Sequence, residues 1–314
     1  MKIEQIRELF NNGIDEISNS IGYEAVANMR NNLYKLDTIN RILLYTQNKD
    51  AFDVRTALEW STCNRDIRIN QKPIYLVVPY YKTKYIDSDS NNEINVDDLN
   101  VDELNKALEY GIITKHEEMK STNIESYFDI RQTKPVNNIN YSIEKHALSS
   151  GKILMILKDI TGYSIEESEI DYCSDNERTV FISKKSYKEL AKSVSKILCN
   201  YYIKRLTAED IVNTSEFSDY DKELLETTIR FGISTLCGVN YNEDFSAVKH
   251  TTKEKIIDIL NISNSIIIDV AARLDTNTGI KNYDAYHNLV ITKKAEAILN
   301  IMEANSIYKI MKGE

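Results

Sequence analysis

From Tyr34 to Tyr81 the chain interleaves aromatic and basic side chains. Among the aromatics are Tyr34, Tyr45, Trp60, Tyr75, Tyr80 and Tyr81, and interleaved with them are Arg41, Arg55, Arg65, Arg68 and Lys72. Aromatic faces stack on unpaired bases while cations track the phosphates, and each stacked base contributes about 1–3 kcal/mol. A few such residues therefore suffice to hold a single strand of nucleic acid. The same aromatics also suit a core, so Trp60 and Tyr75 read either way.

Other chemistries find less support. The histidines are His116, His146, His250 and His287, and none has a second His three or four residues away. A helical zinc site needs two imidazoles at i and i+4 with a Glu between them to act on water. His116-Glu-Glu-Met-Lys120 begins that way but ends on Lys120. There is no GxSxG elbow and no Gly-rich phosphate loop. Cys199 and Cys237 sit among apolar residues at helical spacing and read as buried, inert thiols. The expectation is a protein without catalytic residues, metal or cofactor.

Acid pairs fill residues 86–126, as in Asp97-Asp98, Asp102-Glu103 and Glu117-Glu118. They read as a solvated face, or as a partner-binding surface whose closely spaced carboxylates imitate phosphates. The net charge of −9 is unevenly spread. Residues 1–80 balance, with ten Lys/Arg and ten Asp/Glu, whereas residues 81–130 hold five Lys and twelve Asp/Glu. The overall acidity thus comes mostly from one segment and does not exclude a basic surface elsewhere.

The elements that must position these residues are mainly helical. Only nine Gly and three Pro occur in 314 residues, which favours long helices over a turn-dense β architecture. Ile3, Ile6, Phe10, Ile14 and Ile17 form one helical stripe. A second helix is expected over about 23–35, and a third, capped by Asp37 or Thr38, through Gln47. Ala57–Trp60 reads as a short helical turn, and Pro73–Pro79 and Tyr127–Arg131 as strands. Between these strands, residues 86–104 read as a loop or mobile excursion, with a weak helix over about 98–110. Further on come a helix within Ser142–Ile160, a strand Thr179–Ser183, a long helix capped by Ser186, and helices Ser218–Leu236, Thr252–Leu274 and Thr292–Met311. The fold class is α+β. Nothing in the first residues has the apolar run of a secretory signal, apolar stretches are too short to span a bilayer, and the four cysteines are scattered, which suggests a cytoplasmic protein.

Asn40-Arg-Ile-Leu-Leu-Tyr-Thr-Gln47 is followed by Asp50-Ala51, Val54, Trp60, Arg65-Asp-Ile67, Lys72 and Ile74–Pro79; Phe128-Asp-Ile-Arg-Gln-Thr133 comes later. These segments, about 33–80 and 127–133, resemble the N-terminal domain of ArdC-type antirestriction proteins and their LtrC-like relatives. Two turn glycines of that pattern are Asn64 and Asn70 here, and Asn is the residue other than Gly that best tolerates positive φ. The resemblance implies a helical single-stranded-DNA-binding domain with a small antiparallel sheet over 1–135, carrying an acidic insert at 81–126. It implies a mostly helical, zincin-like domain over 136–314. The nucleic-acid contacts would come from Tyr34, Asn40, Arg41, Tyr45, Gln47, Arg55, Trp60, Arg65, Arg68, Lys72 and Gln132.

In the second domain of that family HExxH lies on a helix. Counting from Ser186, Lys196 and Ile197 fall at the first His and the Glu, and Asn200 at the second His; Glu226 is nearest to a later acidic ligand. A zincin-like scaffold without its chemistry is implied. Such proteins belong to plasmids, phages and integrative elements and shield incoming DNA from host defence. The alternative is a protein-binding inhibitor or DNA mimic that acts on a host defence or conjugation component through the acidic insert or the second domain.

Overall fold

The computed structural model describes residues 1–28, 33, 36–95, 100–136, 148–209, 214–239 and 242–276, and of 81–82, 116–120 and 275–276 only the backbone. Expected elements over 29–35, 142–147 and 292–311 lie wholly or in part outside these residues. Met1–Tyr75 with Ser126–Glu314 forms one compact unit, and Leu76–Glu125 a second. The expected boundary near Val136 falls inside the first unit.

Helix α1 (Ile3–Ile17) buries Ile6, Phe10, Ile14 and Ile17, the stripe read from the sequence. Helix α2 (Ser20–Ala27) starts earlier than expected because the Asn19 side chain accepts from Gly22 N at 3.0 Å. Asp37 caps α3 (Thr38–Gln47) by accepting from Asn40 N at 2.8 Å. α1 and α3 approach closely at Gly13, where a Cβ would lie 2.4 Å from Thr46 Oγ1. Any larger residue there would push the helices apart.

Strand β1 (Val54–Thr56) leads into α4 (Ala57–Thr62), β2 (Arg65–Ile67) and β3 (Ile74–Asp87). β4 (Glu93–Ile94), α5 (Val101–Glu109) and β5 (Ile113–Asp129) follow, then β6 (Thr133–Pro135). The sheet order is β1-β5-β3-β4, and β2 and β6 form a separate antiparallel pair. In the acidic segment, residues 86–87 and 93–94 of the expected loop are strand, and the helix expected over about 98–110 is α5 (Val101–Glu109). Both flanking strands run on into it, and β4 and α5 lie between them.

Later in the chain come α6 (Ser150–Thr161), β7 (Ser164–Glu167), β8 (Tyr172–Ser174), β9 (Thr179–Ile182), α7 (Tyr187–Ala208), α8 (Asp219–Leu236) and α9 (Lys253–Thr276). The β7-β9-β8 sheet is mixed, since β7 runs parallel to β9 and β8 antiparallel. α8 and α9 pack on one another and hold the core with Phe231 and Phe245, whose rings meet edge to face. The early helices join this core. Tyr23 bonds to Thr228 Oγ1 at 2.8 Å, and Asn264 on α9 donates to the Leu36 carbonyl. Buried Tyr202 donates to Asp269, which also accepts from Arg273 at 3.3 Å, so this buried carboxylate on α9 is matched by a cation and a hydroxyl. Among the described residues no helix is long and apolar enough to cross a membrane.

Candidate nucleic-acid interface

The short helix α4 holds because Thr56 and Glu59 cap it reciprocally. Glu59 N donates to Thr56 Oγ1 at 3.2 Å and Thr56 N to Glu59 Oε2 at 2.7 Å. This turn drives Trp60 inward. Its ring is fully buried, and its Nε1 donates to the Phe128 carbonyl at 2.7 Å. Two guanidinium groups stand over it, Arg55 at 5.1 Å and Arg65 at 6.0 Å from the ring centroid. Burial of the indole rules out stacking on a base in this conformation. Trp60 is an anchor for cations, each such contact contributing about 0.5–2 kcal/mol.

The cations are aimed by hydrogen bonds to the neighbouring strand. Arg65 Nε donates to Thr133 Oγ1 at 2.6 Å and Arg68 Nε to the Thr133 carbonyl at 2.9 Å. In the β2–β6 register Arg65 faces Pro135 and Ile67 faces Thr133. Gln132 ties in the loop before β3, accepting from Asp129 N at 2.8 Å and donating to the Lys72 carbonyl at 2.7 Å. Arg65 and Arg68 thus converge on Thr133, with Arg68 exposed, whereas exposed Lys134 lies on the other face of the ladder from Arg65 and Thr133. Asp66, opposite Lys134, is the acidic residue within that register. Arg55 is neutralised by buried Asp53 at 3.2 Å and also donates to Cys63 Sγ at 3.0 Å. Arg131 is held by buried Asp129 at 2.7 Å. Beside them lies Phe52, 39% exposed, whose amide donates to Asp129 at 2.5 Å.

The positive-φ expectation at the two asparagines holds: φ is 54° at Asn64 and 63° at Asn70. These turns set where β2 begins and where the chain leaves it.

Several predicted contact residues lie elsewhere and serve the core. Asn40 is buried, its amide donating to Asp37 Oδ2 at 2.7 Å. Arg41 is buried and closes the end of α2 by donating to the Val26 carbonyl at 3.1 Å; burial pulls its guanidinium down to about 10, which neighbouring Asp37 only partly offsets. Gln47 brackets the backbone of Tyr75, accepting from its N at 3.0 Å and donating to its O at 2.9 Å. Tyr45 is half-buried under Lys49 and, with Arg41, lines a cavity of about 40 Å³. Tyr34 lies outside the described residues. Thr133 and Phe52 were missed from the sequence, because a three-residue strand and a single exposed Phe leave no periodic signal.

In the second half, β9 and α7 have the order expected of a strand followed by a long helix, and Ser186 caps α7 through Glu189. Lys196 and Asn200 are exposed on one face of α7, while Ile197 is buried. Glu226, on α8, receives the Cys199 thiol at its backbone carbonyl, and burial together with the Glu226 charge raises that thiol to about 12. Arg230 on α8 donates to Thr227 Oγ1 at 3.1 Å and approaches Glu243 at 3.9 Å. Among the described residues no group of three or more His, Cys, Asp or Glu is placed to hold a metal ion.

No family model matches the sequence, and no curated protein does. The fold is similar to that of the antirestriction protein ArdC from plasmid R388. The metal-free crystal structure gives a TM-score of 0.48 at 12% identity, and the Mn(II)-bound structure 0.46 at 14%; each covers 87% of this chain and 99% of that chain.

Proposed function

We propose that this protein is a non-catalytic, cytoplasmic single-stranded-DNA-binding protein of a mobile genetic element, of antirestriction type. The observation that carries this reading is the convergence of Arg65 and Arg68 on Thr133. Cations fixed by short hydrogen bonds to a strand lose little freedom when a phosphodiester arrives. The sequence pattern around Asn40–Pro79 and 128–133 supports the same reading. The mode differs from the one composition suggests: phosphates are tracked by the arginines, and Phe52 offers the stacking face in place of Trp60.

The absence of catalysis rests on residue type. The family resemblance puts Lys196, Ile197 and Asn200 where two imidazoles and a carboxylate would be needed to activate water on zinc. Metal analysis of the purified protein tests this part, and stoichiometric zinc or manganese contradicts it. DNA binding is tested by anisotropy of a labelled oligonucleotide at low salt. Salt-sensitive binding that is weakened by Arg68→Ala supports the reading, and no binding at low salt overturns it.

A further inference from the structure

Leu76–Glu125 is a compact unit that the proposed function leaves unused. It carries eleven Asp/Glu against five Lys. Its helix α5 is well begun: Glu103 N donates to Asn100 Oδ1 at 2.9 Å and Asn100 N to Glu103 Oε2 at 3.1 Å. Yet none of its residues is buried. Val101, Leu104 and Leu108 recur at steps of three and four and so share one face. Val101 is 73% exposed, and Tyr110 and Ile112, just beyond the helix, are 74% and 56% exposed. A nine-residue helix is marginal in water without a packed face. Exposed apolar residues rimmed by charge mark an interaction site.

The rim is acidic, and backbone bonds hold it there. Ser88 N donates to the Ile112 carbonyl at 2.9 Å and Ser88 Oγ to the Gly111 carbonyl at 2.6 Å. The turn bearing Asp87 and Asp89 therefore lies against the end of α5. Asp102 and Glu103 occupy the first turn of α5, and Glu109 its last position. An anion at a helix C-terminus opposes the helix dipole, so Glu109 does not serve helix stability.

We infer that α5, Tyr110–Ile112 and the turn after β3 form a docking surface for a protein partner whose face is basic around an apolar centre. That is the surface a nucleic-acid-binding groove presents, and the carboxylates here meet it as phosphates do. A second copy of this chain is disfavoured as occupant, because chains of net charge −9 repel on approach.

The test uses the full chain and two synthetic helical peptides of equal charge, one with Lys and Leu at amphipathic spacing and one with Ser in place of Leu. The Lys/Leu peptide binds at least about tenfold more tightly. The V101S/Y110S/I112S variant reduces its affinity to that of the Lys/Ser peptide, and D89N/D102N/E109Q weakens both. The apolar variant leaves oligonucleotide binding unchanged, which separates this surface from the basic one. Equal affinity of the wild-type chain for the two peptides overturns the inference. So does a dimer in sedimentation that the apolar variant dissolves, since the face then serves self-association. If a variant perturbs α5, seen as loss of amide protection over 101–109, the two-peptide comparison on the wild-type chain still decides.

Discussion

The indole Nε1 of Trp60 donates a 2.7 Å hydrogen bond to the Phe128 carbonyl, tying α4 to the strand that ends at Asp129. The most conspicuous aromatic of the basic segment is therefore a rivet between two elements. Its ring supports Arg55 and Arg65 from below and leaves the outer surface to the cations.

Trp60→Phe keeps most of the apolar volume and deletes the donor. The Phe128 carbonyl loses its indole partner, and the expected cost is about 1–3 kcal/mol of stability. Oligonucleotide affinity of the folded variant is unchanged. Urea unfolding and anisotropy on the same preparation check both parts. Lost affinity at unaltered stability would mean that the ring leaves the core to stack on a base.

Arg65 and Arg68 act in the proposed function as phosphate ligands positioned by Thr133. Each phosphate contact to a single strand contributes about 0.7 to the slope of log K against log salt. The R65A/R68A variant should therefore flatten that slope by roughly 1.4 and weaken binding throughout the salt range. Thr133→Val tests the positioning separately. It removes the 2.6 Å bond from Arg65 and keeps both charges, so it lowers affinity with little change in slope. An unchanged slope in the double variant would remove these two residues from the interface.

Elements whose signal is local were legible in the sequence. The α1 stripe, the Asp37 and Ser186 caps and the strands around 74–79 and 179–182 follow from side-chain period and short-range hydrogen bonding. The site was legible only in part, because composition cannot separate a cation on the surface from one in the core. Arg41 and Arg68 look alike in sequence. One is closed against the end of α2, and the other reaches across to β6. Gln47 likewise looks like a ligand residue until Tyr75, 28 positions later, takes both of its amide atoms. In the acidic segment the helix over about 98–110 was legible and is α5, whereas the extensions of the flanking strands become evident only where β3 and β5 pair.

The turn asparagines offer a test of backbone need. At φ 54° and 63°, Asn64 and Asn70 occupy the left-handed region, which costs residues with an ordinary Cβ about 1–2 kcal/mol. Asn64→Ala should lose about 1 kcal/mol, whereas Asn64→Gly is neutral or nearly so. The Ala variant also shifts the start of β2 and so misplaces Arg65. Chemical denaturation of the Ala and Gly variants gives the first result, and their oligonucleotide affinities the second. Equal stability of the two would show that the turn relaxes to another conformation.

Asp171 provides a pH test in the second half of the chain. Burial pushes its carboxyl up, but bonds from Lys185 Nζ, Ser183 N, Ser193 Oγ and Ser183 Oγ outweigh this and hold it at about 2. These partners fasten the segment before β8 to the end of β9 and to α7, with Ser193 Oγ 2.5 Å from Asp171 Oδ2. A carboxylate whose folded value lies below its ordinary 3.8 stabilises the fold in full above that ordinary value. The contribution is lost as pH falls through about 2. Asp171→Asn should accordingly lower stability by about 1–3 kcal/mol at pH 7, from the loss of charge-assisted hydrogen bonds. The gap to wild type narrows between pH 4 and pH 2, where Asp171 itself becomes neutral. Other carboxylates titrate in the same range, so the difference between the two proteins, measured by thermal unfolding at each pH, isolates this one. A gap that stays constant down to pH 2 would assign the loss to packing and leave the ionised carboxylate no part in holding β8 and β9 to α7.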